Sequence, residues 1–151
     1  MSSPHFRIEH AGNCLLCTLR GKWSLAVDIQ YLAALAEETK RKKGQAYFVI
    51  ADIRTWQPPE AALLEKVVSP LQFDSRNQQG EFWLEDEYTR ADYIAQNLKP
   101  MKNASLVRSR AASELLIFVR KNCLDSTYKG VAKWLQNNNY LLECELGDIY
   151  A

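Results

Sequence analysis

The side chains in this sequence that could do chemistry are its cysteines, its two histidines and three clusters of charge. Cys14 and Cys17 stand in a Cys-x-x-Cys spacing. That spacing supports redox exchange when it opens a helix, because the helix N-terminus lowers one thiol's pKa. It supplies half a zinc site when two further ligands follow at similar spacing. Neither context is present. Cys14 to Leu19 reads as a strand, and residues three apart on a strand point to opposite faces, so the two sulfurs are expected to diverge. Cys123 and Cys144 complete the set, and all four are expected to be reduced thiols that help fill a core. No metal ligand is assigned.

The basic run Lys40-Arg41-Lys42-Lys43 would suit an anionic surface, but no aromatic residues interleave with it as single-strand nucleic-acid binding requires. It reads as the solvated end of a helix. Glu85-Asp86-Glu87 would suit a divalent cation, yet consecutive carboxylates fan apart, and the front of a helix favours them electrostatically. His5 and His10 are the only histidines, and no Gly-x-Ser-x-Gly elbow presents a serine to either. The six glycines, at 12, 21, 44, 80, 130 and 147, are too scattered to build a phosphate-cradling loop. No catalytic residue and no cofactor are assigned, and the chain is not read as an enzyme.

One segment has a positional argument for binding. Tyr47-Phe48-Val49-Ile50-Ala51 is an unbroken apolar run, which predicts a central strand covered on both faces. In open α/β sheets ligands collect beyond the carboxyl ends of the strands. Asp52, Arg54, Thr55, Trp56 and Gln57 fall at that end. Asp52 can accept hydrogen bonds, Arg54 can pair with an anion, and Trp56 offers a large contact face. Equally, Asp52 can cap local backbone, Arg54 can pair with Asp52, and Trp56 can cover the edge of the core.

Several elements must position this segment. Phe6 to His10 and Cys14 to Leu19, joined by Ala11-Gly12-Asn13, predict an N-terminal β-hairpin. Ser24 caps a helix in which Leu25, Ile29, Leu32 and Leu35 recur at helical spacing, ending at Gly44. Pro58 and Pro59 open a second helix over Ala61 to Val68 that ends near Pro70, followed by a polar loop from Asp74 to Gly80. Phe82 to Leu84 predicts a brief strand, leading into a helix that ends near Leu98. Ser105 to Val107 reads as a minor strand and Leu115 to Val119 as another inner strand. Ser126 caps a last helix carrying Tyr128, Val131, Ala132, Trp134 and Leu135, with a core ending near Gln136. In the tail, Leu142, Cys144 and Leu146 alternate with Glu143 and Glu145, which predicts an edge strand able to pair across a sheet edge within the chain or with a second copy as a homodimer.

Alternating strands and helices predict an α/β fold, a mixed sheet with helices packed on it, in one domain over residues 1–151. That order resembles the STAS-like, SpoIIAA-like superfamily of sulfate-transporter and anti-sigma-factor-antagonist domains. The residues carrying the likeness are the hairpin ending in Arg20-Gly21, the helix from Ser24, the run Tyr47 to Asp52, and Ala132-Lys133-Trp134-Leu135. The resemblance implies a bacterial, non-enzymatic regulatory domain that binds a protein partner. The anti-sigma-factor antagonists of that superfamily place a phosphorylated serine in an Asp-Ser-Ser-Gly-type turn at the start of the helix after the central strand. Here the turn reads Asp52-Ile53-Arg54-Thr55, so that motif is absent and the switch does not carry over.

Net charge is +1 and hydrophobic residues make up 47% of the chain, a balance that points neither to nucleic acid nor to disorder. Neither apolar run approaches the roughly 20 residues of a membrane span, and Met1 to His5 lacks the features of a signal peptide, so the cytoplasm is the expected location. The competing functional class is a carrier of a small apolar or amphipathic ligand, with the tyrosines, tryptophans and phenylalanines as its lining.

Overall fold

The computed structural model describes residues 5–42, 44–60, 62, 77–98 and 105–150. The chain opens with two strands, β1 (Phe6–Ala11) and β2 (Cys14–Leu19), paired antiparallel with Phe6 opposite Leu19. Gly12 in the connecting turn has φ +52°. A Cβ there would also meet the hydroxyl of Thr127 at 2.0 Å, so only glycine fits. Helix α1 (Leu25–Arg41) follows, its first turn capped by the Ser24 hydroxyl, which accepts from the Val27 N–H.

Strand β3 (Tyr47–Asp52) is buried at every position, as its unbroken apolar run predicts. It lies at the middle of a five-stranded sheet whose order, β1-β2-β3-β4-β5, follows the sequence. Strands β4 (Gln78–Leu84) and β5 (Leu106–Ser109) complete it, and every pairing after the hairpin is parallel. The fold is α/β, with a mixed sheet, an N-terminal hairpin and helices on both faces.

Alternation along the strands divides the core into two clusters. One face holds Leu15, Cys17, Leu19, Val49, Ala51 and Trp83, beneath α1 and the short helix α2 (Asp92–Leu98). The other holds Cys14, Leu16, Phe48, Ile50, Phe82 and Leu84, beneath α3 (Ala112–Asn122) and α4 (Asp125–Tyr150). Cys14 and Cys17 therefore sit on opposite faces, as the strand period requires, and all four cysteines are free.

Five expectations need correction. Leu115 to Val119 is helical: Leu115 and Val119, one turn apart, are buried, whereas Ile117 between them is 65% exposed. Short apolar runs fit either period, and here the helical one won. The tail is no edge strand either, because α4 runs unbroken through Gln136 to Tyr150, burying Leu142 and exposing Cys144. Spacing from Leu135 to Leu142 is two helical turns, which fits the same face as well as alternation fits a strand. The brief strand at Phe82 begins earlier, at Gln78, inside the expected polar loop. Leu84 to Tyr88 is not helical, because Asp86 turns the chain there with its own carboxylate (below). Ser126 lies within the first turn of α4 rather than at its cap, since the first helical bond runs from the Tyr128 N–H to the Leu124 carbonyl. The helix expected over Ala61 to Val68 lies, apart from residue 62, outside the described residues.

Candidate functional site

Asp52 ends β3 with its side chain fully enclosed. A bare carboxylate there would be prohibitive, so it must be paired. Arg20, just beyond the end of β2, donates through Nη2 to Asp52 Oδ2 at 2.7 Å and through Nη1 to Oδ1 at 3.1 Å. Arg54 donates from Nε and Nη2 to the same two oxygens at 2.9 and 2.7 Å. Asn138 of α4 reaches across the other face to donate to Oδ2 at 3.2 Å and to Thr18 Oγ1 at 3.0 Å. Burial pushes the Asp52 carboxyl up, but the Arg54 hydrogen bonds and the Arg20 charge outweigh it and bring the pKa down to about 2.

Arg20 Nη1 also donates to the carbonyls of Leu19, Asp52 and Arg54, so one guanidinium closes the ends of two strands and the following turn. That turn runs from Ile53 to Trp56, whose N–H returns to the Ile53 carbonyl. Thr55 occupies its third position at φ +68°, a conformation normally left to glycine or asparagine. A β-branched residue is strained there. It is held from two sides: its hydroxyl accepts from the Gly21 N–H at 3.2 Å, and its own N–H donates to Asp86 Oδ1 at 3.0 Å.

Asp86 knots in the third loop. The same Oδ1 accepts from the Tyr88 and Thr89 N–H groups, and the Thr89 hydroxyl, 3.1 Å from that oxygen, donates to the Ile53 carbonyl at 2.8 Å. Gln57 receives one bond at its carbonyl from Trp23 N–H and sends one from its N–H to the Gly21 carbonyl. Three loops after β2, β3 and β4 are thus laced into one surface.

Of the five residues expected at a binding site, Asp52 and Trp56 lie inside, at 0% and 5% exposure, and Arg54, Thr55 and Gln57 are half-buried at the surface. Trp56 packs edge-on against Trp23 at 5.4 Å between ring centroids. Lys22 and Tyr88 are exposed beside them. Sequence reasoning missed Arg20, Asp86 and Asn138. Arg20 had a faint signal, standing two residues past Thr18, which pairs with Asp52 across the parallel strands. Asn138, 86 residues away along the chain, had none.

The sheet also alters the geometric argument for a crevice. Crevices in open α/β sheets form where strand order reverses and successive crossovers leave on opposite faces. Here, among the described residues, strand order is sequential and α1 and α2 share a face, so no reversal of order opens a crevice, and hydrogen-bonded loops span the strand ends. The charged clusters resolve similarly. Lys40 and Arg41 pair with Glu37 and Glu38 of their own helix. Glu85 pairs with Arg108 while Asp86 faces the loops, so those carboxylates diverge. Among the described residues no group of three histidines, cysteines or carboxylates could hold a metal ion, and no helix is long and apolar enough to cross a membrane.

Comparison with protein-family models, curated proteins and solved structures finds no match to this chain.

Proposed function

We propose that this chain is a non-enzymatic interaction domain of STAS-like character that docks a regulatory protein partner on the laced loop surface. The observation that carries the reading is Thr55, strained yet fixed at the surface by bonds from two neighbouring loops. Strain held in place by surrounding structure clusters at sites where a shape must be preformed. A preformed surface loses little entropy on binding, which is how a modest patch gains affinity. Arg54, Thr55 and Gln57 form its centre, with Lys22 and Tyr88 at its margin. Asp52 and Trp56 act as its support. The sequential hairpin-first order of the sheet adds to the family resemblance.

The carrier reading gains no support from the aromatic residues. Phe6, Trp23, Tyr31 and Trp56 pack against one another at centroid distances of 5.4–6.0 Å and fill one face of the core.

Arg54 and Trp56 are poor probes of the surface, since replacing either disturbs the support. Lys22→Glu combined with Tyr88→Ala changes exposed side chains only. A protein captured by the wild-type chain from an extract of its native cells should be lost with this double variant at an unchanged unfolding temperature. Equal capture by the two chains would overturn the assignment.

A further inference from the structure

We propose that β1 is the seam of a homodimer, in which two copies join antiparallel through this strand into one continuous sheet. Strand order places β1 at an edge, and among the described residues it pairs with β2 alone. Edge strands of natural proteins are usually shielded by charges that repel a second strand. The charges of β1 do the reverse. Its sequence is Phe6-Arg7-Ile8-Glu9-His10-Ala11, and an antiparallel pairing centred on Ile8 sets Arg7 opposite Glu9 of the second copy, and Glu9 opposite its Arg7. Opposite charges directly across an antiparallel pair stabilise it, and like charges oppose it. The arrangement is self-complementary, as a two-fold interface requires.

The surroundings of the edge fit the same occupant. The two-fold axis of such a pair stands perpendicular to the sheet, so α4 of both copies lies on one face, flanking the seam. On that side an open groove of about 300 Å³ runs between β1 and α4, lined by Arg7, Glu9, Trp134, Asn138, Tyr140 and Leu141. Tyr140 and Leu141 are 66% and 43% exposed, apolar surface that a second copy would cover. Trp134 is 6% exposed, and its indole N–H has no acceptor among the described residues. Within one copy, Arg7 Nε lies 3.5 Å from Glu9, a loose contact that the cross-strand pair would replace while Arg7 Nη2 stays on Asn138 Oδ1.

Because β1 runs in opposite directions in the two copies, the dimer carries its two loop surfaces at opposite ends. The seam is separate from those loops, so the dimer stands or falls independently of the partner-binding reading.

Sedimentation velocity of the full chain across a dilution series tests the proposal. The wild-type chain should dimerise, and Glu9→Arg, at a half-exposed position, should weaken association by about tenfold or more. Exchanging the charges, Arg7→Glu with Glu9→Arg, should restore it. Arg7 also donates to Asn138 Oδ1, so the exchanged chain is compared at matched unfolding temperature. Should it fail to fold, Glu9→Arg with Tyr140→Glu replaces it and should abolish the dimer. A wild-type monomer at every concentration, a dimer indifferent to Glu9→Arg, or a folded exchanged chain that stays monomeric would each overturn the proposal.

Discussion

Two buried aspartates meet the same problem in opposite ways. Asp52 and Asp28 are 0% and 4% exposed. Around Asp52 converge two guanidiniums and an amide, and its carboxyl is held near pKa 2. Asp28, in the first turn of α1, has an oxygen with no hydrogen-bond partner among the described residues, and burial pushes its pKa up to about 6. Burial raises both; partners decide the outcome. The clamped carboxylate joins strand ends to loops, while the unpartnered one is a charge the fold tolerates at a helix front, where the dipole offsets part of the cost.

The largest effect should come from breaking the clamp. Arg20→Met removes one of two counter-charges from an enclosed carboxylate and should cost about 3 kcal/mol or more, read from urea unfolding at neutral pH. A loss below about 1 kcal/mol would mean that Arg54 alone satisfies Asp52. The next effect is opposite in sign. Asp28→Asn should stabilise the protein by about 1–3 kcal/mol at neutral pH, the upper figure being the full conversion of its raised pKa.

The two groups also divide the pH axis. Asp28 binds its proton more tightly folded than unfolded, so its penalty is absent below the ordinary value of 3.8, grows as pH rises, and is complete above about 6. Asp52 has a lowered pKa, so its contribution is present above 3.8 and is lost as pH falls towards about 2. Wild-type stability should therefore fall between about pH 4 and 6 by this route, and Asp28→Asn should remove that slope. A variant that keeps the slope would show that another group is responsible. The smallest effect concerns Thr55. Asparagine tolerates positive φ and keeps an oxygen for the Gly21 N–H, so Thr55→Asn should be neutral or stabilising by at most about 1 kcal/mol. A clear loss would show that the threonine methyl packs in a way the turn needs.

What the sequence could reveal followed from whether a signal was local. β3 was legible because a continuous apolar run has few structural meanings, and the position of Asp52 to Gln57 followed from where that run stops. Helix α3 was not, since Leu115-Leu116-Ile117-Phe118-Val119 satisfies either period when read alone. The end of α4 misled for the same reason, with three alternating apolar residues too few to separate a strand from a helix. The site's internal bonding was least legible. Asp52 draws partners from just beyond β2, from its own turn and from α4, and such convergence exists only once the sheet has formed.

The two faces of the sheet are covered in different ways. One receives α1 and α2, inserted between successive strands. The other depends on α3 and α4, both of which follow the last strand. During synthesis, then, all five strands emerge before α3 and α4, the helices that cover the second face among the described residues. Leu16, Phe48, Ile50, Phe82 and Leu84 stay bare for the time needed to make the residues from Ala112 onward. That interval exposes an apolar surface to other nascent chains and to chaperones. Truncations or stalls within α3 and α4 should accordingly produce aggregates rather than a smaller stable domain.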